Sequence, residues 1–225
     1  AVLATPAAAV DFRLGGLDGS FTSNISVGSS WRMEEIDPSL VFSGNFPGGT
    51  ASTSVNDDGN LNFRQGDMTS LILKGVHELE LRGENIGVFS RFKYWYDYEL
   101  SQGDRPHGNS LNAYRPDRPL DDSRFNAFAQ TSGLQLLDAY LYSDFAIGDI
   151  PATVRIGEQV VSWGESTFIQ NGINIINPVD VTAFRRPGVE IKEGLLPVGM
   201  LYTSLGLTNT INFEFFYQWE WQKSP

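Results

Sequence analysis

The residues best suited to line a polar passage are concentrated in the segment 163–197. Three of them, Asn171, Asn174 and Asn177, recur at a spacing of three, which places their amides on one side of a short helical turn. The others are charged: Glu165, Asp180, Arg185, Arg186 and Glu190. Charged side chains facing a narrow lumen select what passes through it. We therefore interpret the segment as a plug or constriction, in which Arg185 and Arg186 pair with Asp180, Glu165 or Glu190. The alternative is a solvated surface loop.

A second set of charges lies on stretches of alternating polarity and is assigned to the inner side of strands. The alternation selects Lys74, Glu78, Arg91, Lys93, Asp138, Arg155, Glu158, Glu214 and Glu220. Polar residues inside a membrane-embedded wall are expected whatever the function, because lipid excludes them. Both signs occur, so cross-strand pairing is favoured over an ion filter of one sign.

Catalytic and metal-binding signals are weak. The chain has two histidines, His77 and His107, and no cysteine. Neither histidine lies beside a marked nucleophile, and without an i, i+4 partner they do not indicate a zinc site. Acidic clusters near Asp57 and Asp121 lack the regular spacing of a calcium loop. We predict no catalytic residue, no cofactor and no metal, and we expect that the protein is not an enzyme.

The elements that must position these residues are long strands. Two-residue alternation of apolar and polar side chains is typical of a strand with one buried face. In residues 17–32 it is long enough to cross a bilayer, which takes roughly 9–11 residues in a tilted strand. Seven strands are predicted, at 17–32, 70–81 (with strand character also at 61–63), 86–98, 134–147, 152–163, 198–207 and 211–221.

The connections between these strands alternate strictly between long and short. Transmembrane barrels have this asymmetry, and aromatic residues near strand ends, such as Trp31, Tyr98 and Trp219, resemble their interfacial girdles. No apolar run is long enough for a membrane helix. We predict an all-β, antiparallel transmembrane β-barrel of the outer-membrane type, with a soluble β-sandwich as the alternative. The net charge of −11 argues against a nucleic-acid partner.

The ends of the chain suggest a piece of a longer exported protein. Residues 1–9 are apolar and include Ala7, Ala8 and Ala9, as at the end of a signal peptide, so we expect the mature protein to begin near Val10. Bacterial single-chain barrels have even strand numbers from eight upward, and an open edge cannot stand in lipid. We therefore expect residues 10–225 to be the N-terminal part of a barrel domain, closed by further strands or by oligomerisation.

Four motifs carry a resemblance to a known family. They are GEQVVSWGES at 157–166, NGIN at 171–174, NPVD at 177–180 and RPG at 186–188. With their spacing, the chain from about Val10 to its end resembles the proteobacterial family catalogued as domain of unknown function thirteen-oh-two. The resemblance implies a longer outer-membrane protein that works with a periplasmic lipid-carrier-like protein and an inner-membrane pump of the resistance-nodulation-division type. It also implies transport of a lipid or hydrophobic compound across the envelope, and it assigns no functional residues.

Three functions remain open on the sequence. The first is an outer-membrane conduit, surrounded by outer-membrane lipid, for an amphipathic or apolar compound. The second is a structural or adhesive protein that binds partners through its long outer loops, and the third is a barrel hydrolase that uses His77 or His107. The cargo and its direction are not readable from these residues.

Overall fold

The computed structural model describes residues 2–4, 8–45, 47–52, 57–107, 115–163 and 176–224. Strands predominate. They are β1 (Val2–Ala4), β2 (Ala8–Leu14), β3 (Leu17–Trp31), β4 (Met68–Arg82), β5 (Ile86–Asp97), β6 (Arg105–His107), β7 (Arg115–Arg118), β8 (Ser132–Ile147), β9 (Ile150–Gln159), β10 (Val198–Gly206) and β11 (Asn212–Gln218). The described helices are short: α1 (Asp58–Leu61), α2 (Tyr98–Gln102), α3 (Val181–Phe184) and three 3₁₀ turns at Pro38–Leu40, Ala127–Ala129 and Ile191–Glu193. No helix in these ranges is long and apolar enough to span a bilayer.

Nine strands form one antiparallel sheet in the order β1-β3-β4-β5-β8-β9-β10-β11, with β2 also paired to β3. Strands β6 and β7 form a separate pair. The seven predicted long strands correspond to β3, β4, β5, β8, β9, β10 and β11, so the all-β antiparallel prediction is confirmed. Within the described ranges the sheet is open, because β11 pairs only with β10 and no pairing joins it to β1 or β2.

Three boundaries differ from the sequence prediction. Residues 61–63 are not a strand, because Leu61 ends helix α1 and the chain enters the sheet only at Met68. Strand β9 ends at Gln159, where Asn177 takes up the next backbone groups. At the N-terminus, β1 and β2 pair with β3, where the sequence suggested a signal-peptide remnant. The cleavage site near Val10 stays a prediction.

The two faces of the sheet differ sharply in polarity. Val27 and Leu73 are register partners on one face, and Val88, Leu141 and Ile156 form a row across three strands on that same face. We call this the outer face. The opposite, inner face carries Lys74, Glu78, Arg91 and Lys93 and is covered by residues 176–197. A period of two along every strand sorts the side chains in this way.

A β-bulge in β8 interrupts the alternation. Ala139 faces Ser90 on β5, whereas Leu136 faces Phe92, so β8 has one extra residue here. Leu137 and Asp138, at the bulge, are both almost completely buried. A bulge places two successive residues against one partner, which explains how both reach the inner side.

The long and the short connections between strands lie at opposite ends of the sheet. The long connections β3–β4, β5–β8 and β9–β10 all leave from one end, and we call it the long-connection end. The short turns after β2, β4, β8 and β10 lie at the other end. The turn at Gly148 has a φ of 64°, which suits the left-handed residue of a two-residue hairpin.

Candidate functional site

The described part of the predicted plug, residues 176–197, is fixed at both ends by Asn177. Its side-chain amide donates to the carbonyls of Gln159 (3.2 Å) and Leu196 (2.9 Å), and its oxygen accepts from Val161 N (2.9 Å). The side chain is buried. One side-chain amide thus joins the end of β9 to the residues just before β10. It satisfies backbone groups that no neighbouring strand pairs with at this point.

Asp180 connects the segment to the middle of the sheet. Its carboxylate caps α3 by accepting from Thr182 N (3.0 Å) and Ala183 N (3.1 Å), as expected of an N-cap aspartate. The same carboxylate lies 3.4 Å from Lys93 Nζ on β5. Both side chains are buried, with 0 and 2 % exposure. The ammonium also donates to the carbonyl of Glu193 at 2.8 Å, so both charges are compensated inside the protein.

Glu193 forms the second buried ion pair between segment and wall. Its carboxylate lies 2.5 Å from Lys74 Nζ on β4, and both side chains are less than a tenth exposed. Glu193 also accepts from Glu190 N (2.9 Å) in a capping box around the turn Ile191–Glu193. Glu193 therefore both stabilises this turn and attaches it to the sheet.

Further charges extend the network along the inner face. Arg91 pairs with Asp138 (2.9 Å) and Glu78 (3.0 Å), and Lys192 reaches the same Glu78 carboxylate at 3.2 Å. Lys192 is a third exposed, so burial opposes its charge. Hydrogen bonds to Glu190 and Glu78 outweigh that effect and raise the pKa of Lys192.

Two of the three predicted partners of the arginines, Asp180 and Glu190, pair with other residues, and the third, Glu165, lies outside the described residues. Asp180 is taken by Lys93, and Glu190 pairs with Lys192 (3.2 Å) and accepts from Asn24 (2.6 Å). Arg186 instead donates to the carbonyl of Phe128 and stacks 4.0 Å above the Trp95 ring. Burial lowers the pKa of Arg186, against the attraction of Asp180, Glu193 and Asp97. Arg185 is exposed.

The other predicted positions are divided between the two faces. Arg155 lies on the inner face and contacts the rings of Tyr202 (5.3 Å) and Tyr140 (5.6 Å). The inward assignment of Glu158 is wrong, because its register partners are Ala139 and Gly199 and it shares the outer face with Ile156. Residues three apart on a regular strand face opposite sides.

Three predicted plug residues, Glu165, Asn171 and Asn174, lie outside the described residues. The proposed row of three asparagines is therefore represented only by Asn177. Its three buried hydrogen bonds connect backbone to backbone, so it serves as a structural link in the segment.

The histidine that is described in detail lies on the outer face. His77 packs against the rings of Phe92 (4.9 Å), Tyr94 (5.5 Å) and Phe21 (5.7 Å). Ser70, a serine on the same strand, lies on the inner face and donates to Asp97, so it does not face His77. No cluster of three or more metal-ligating side chains occurs among the described residues.

Two cavities on the inner face of the described residues lie on either side of the segment. One of about 280 Å³, toward the short turns, is lined by aromatic and charged residues such as Phe89, Tyr140 and Arg155. The other, of about 370 Å³, lies at the long-connection end between the segment, the sheet and the β5–β8 connection. The segment therefore covers the middle of the inner face and leaves water-sized space above and below it.

Sequence reasoning missed Lys192 and Glu193, which supply two of the contacts to the wall. The available signal was weak: Glu193 is the Glu expected at the third position of a capping box, but Glu190 stands where Ser or Thr is usual. Nothing local pointed to Lys74 as the partner of Glu193, which is 119 residues away.

Comparisons with known proteins identify a family and nothing more specific. The family described as "Protein of unknown function (DUF1302)" matches residues 1–225. No curated protein matches the chain. No solved structure matches it either. The match covers the whole chain and agrees with the resemblance of its four motifs, so the protein belongs to the DUF1302 family.

Proposed function

We propose that this sheet is part of the wall of an outer-membrane β-barrel and that the barrel is a conduit for a lipid or another apolar or amphipathic compound. The observation that carries the proposal is the polarity of the two faces. Val27, Leu73, Val88, Leu141, Ile156 and Phe215, on six different strands, are each 41–50 % exposed on the outer face. The inner face buries charges. A water-soluble sheet with a covered core has the opposite arrangement.

The separation of long connections and short turns to opposite ends of the sheet supports the same proposal. Long connections at one end and short turns at the other are typical of outer-membrane barrels, in which the short turns face the periplasm. In lipid, the edge strands β11, β1 and β2 require partners, because unsatisfied backbone groups are costly there. Further strands, from a longer chain or from other copies, would supply these partners and close the wall.

The segment 176–197 is proposed to narrow the lumen of this conduit. Buried ion pairs at Lys93 and Lys74 hold it against the wall, and the inner face beside it is lined by charges of both signs. The mixture of charge and aromatic rings suits an amphipathic cargo better than a single ion. The resemblance noted above adds a periplasmic lipid carrier and an inner-membrane pump as partners in the same transport process.

A pair of cysteine variants tests the membrane placement. The 225 residues contain no cysteine, so one introduced here marks a single position among them. In outer-membrane vesicles that contain the full-length protein, we expect a charged maleimide to label Thr153→Cys on the inner face. Ile156→Cys on the outer face should be labelled only after denaturation, because lipid excludes the reagent. Equal labelling of both in the native vesicles would contradict the membrane proposal.

A deletion tests the conduit role. Asp180 N donates to Gly194 O at 2.8 Å, so the two residues that flank 181–193 are adjacent in space. Residues 181–193 can therefore be replaced by Gly-Gly. Lys74→Met in the same variant avoids an unpaired buried cation, because Glu193 is removed, whereas Lys93 keeps Asp180 as its partner. We expect a higher single-channel conductance in planar bilayers, because the lumen is widened.

The control removes residues 33–65. The residues that flank this segment are adjacent in space, because Gly66 N donates to Arg32 O at 2.7 Å. This connection lies at the long-connection end, so conductance should stay that of the wild type. An unchanged conductance after deletion of 181–193, in a protein that still shows heat-modifiable mobility on a gel, would contradict the constriction. Loss of surface binding after deletion of 33–65, with transport intact, would instead favour the adhesive role.

A further inference from the structure

The cavity of about 370 Å³ at the long-connection end has the composition of a ligand site. Its floor is the inner face of β3–β5, one wall is the segment at Thr182–Pro187, and the opposite wall comes from the β5–β8 connection. Its volume lies within the range of roughly 300–1,000 Å³ typical of small-molecule sites. We call it the arginine cavity, because Arg185 and Arg186 both line it.

The charge of the arginine cavity is not balanced by its own residues. Among the described residues, neither Arg185 nor Arg186 forms an ion pair. The one carboxylate in the lining, Asp97, is occupied: it accepts from Ser70 Oγ and from the backbone amides of Leu71 and Leu100, each at 3.1 Å. Among the described residues, the two guanidinium groups therefore lie beside the cavity without a direct ion pair, although Asp180, Glu193 and Asp97 attract Arg186 from a greater distance.

Arg186 is partly buried although it forms no ion pair among the described residues. The guanidinium is held between the Trp95 ring and the carbonyl of Phe128, and burial lowers its pKa. Burying a cation without an anion is costly, and the cost falls when an anion enters. Arg185, which is exposed in the same wall, has donors free of described partners.

The rest of the lining is divided between apolar side chains and the neutral polar residues Ser30, Thr69, Ser70, Gln130, Thr131 and Thr182. Ile72, Leu100, Phe125 and Pro187 contribute aliphatic and aromatic surface next to Trp95. An inorganic anion would leave this surface in contact with water, whereas a hydrocarbon chain would cover it. The two arginines and these apolar side chains together suit a molecule with an anionic head and a hydrocarbon chain.

We propose that the arginine cavity binds the anionic head and the first part of the chain of a single-chain amphiphile, with the head at Arg185 and Arg186 and the chain against Trp95 and Phe125. The proposal rests on the proposed function for its place in the transport path and names the class of cargo. The site lies at the end of the sheet with the long connections, so the amphiphile would be held there on its way past the segment.

Native mass spectrometry of the full-length protein with dodecanoate tests the site. We expect one bound dodecanoate above the non-specific background, and binding about tenfold or more weaker in Arg185→Gln, because a hydrogen bond to a charged group is lost. Arg64→Gln, another exposed arginine near the same end but outside the cavity, is the matched control and should bind like the wild type.

Two further ligands separate the contributions of the head and the chain. Dodecanol has the same chain without the charge and should bind about tenfold or more weaker than dodecanoate. Acetate carries the charge without the chain and should not displace dodecanoate at equal concentration. Equal binding of dodecanoate by the wild type and Arg185→Gln would overturn the site, as would equal binding of dodecanol or displacement by acetate.

The outcome is independent of the transport experiments. Binding is measured on purified protein, so it can fail while the cysteine labelling and the conductance still support a membrane conduit. Conversely, a soluble protein with the same dodecanoate binding would retain the site and lose the conduit.

Discussion

Replacing Lys93 by methionine is expected to lower the free energy of unfolding by about 3–5 kcal/mol. The substitution leaves Asp180 as an uncompensated charge at a position with no solvent exposure. It also removes the hydrogen bond to the carbonyl of Glu193 at 2.8 Å. The measurement is the urea concentration at which the full-length protein loses its heat-modifiable mobility on a gel.

Two controls identify the cause. The double variant Lys93→Met with Asp180→Asn removes both charges. The side-chain oxygen of the new asparagine can still cap α3, so the double variant should be more stable than Lys93→Met alone. Lys223→Met removes an exposed lysine and should change stability by less than about 0.5 kcal/mol. A single variant as stable as the wild type would mean that the segment is not seated on β5 through this pair.

Replacing Asn177 by alanine is expected to lower the free energy of unfolding by about 3 kcal/mol or more. Three buried backbone groups, at Gln159, Val161 and Leu196, would lose their partner, and each unsatisfied group costs about 1–3 kcal/mol. The same gel assay measures the effect. We expect the first loss of protection from proteolysis within residues 176–197, because these bonds hold both ends of the segment.

Asn212→Ala is the matched control. Asn212 is exposed and contacts Ser204 and Glu214 by side-chain hydrogen bonds of 3.1–3.2 Å. Water replaces such bonds readily, so we expect a change below about 0.5 kcal/mol. If Asn177→Ala and Asn212→Ala changed the free energy of unfolding by similar amounts, this would contradict the role of Asn177 in holding both ends of the segment. Asn177→Asp keeps the acceptor for Val161 but places a buried carboxylate against the carbonyls of Gln159 and Leu196, so it should destabilise the protein at least as much as Asn177→Ala.

The sheet was predictable because its information is local. Alternation over Leu17–Trp31 or Ile86–Asp97 defines a strand and its two faces without reference to any other part of the chain. Prediction failed where the local rule was interrupted. The bulge at Leu137 and Asp138 is such a place, and so are residues 61–63, where a short apolar run is compatible with both helix and strand.

The assignment of Glu158 to the inner face shows a second limit. By alternation, both Arg155 and Glu158 are assigned to the inner face, but the register of Glu158 with Ala139 and Gly199 places it outside. Register is set by the pairing of whole strands, and a charge on one residue does not override it.

The sequence by itself determined the strands, their polarity, the sorting of the connections and the existence of an inserted segment rich in Asn, Asp and Arg. These properties follow from the period of two and from turn residues, which act within a few positions of each other. Only the tertiary structure decided the partners: Lys93 with Asp180, Lys74 with Glu193, and Arg186 with Trp95. Such pairs join residues about 90 or more positions apart, and several chemically equivalent partners exist for each charge. Which partner each charge takes is therefore determined by where the folded segment packs against the sheet.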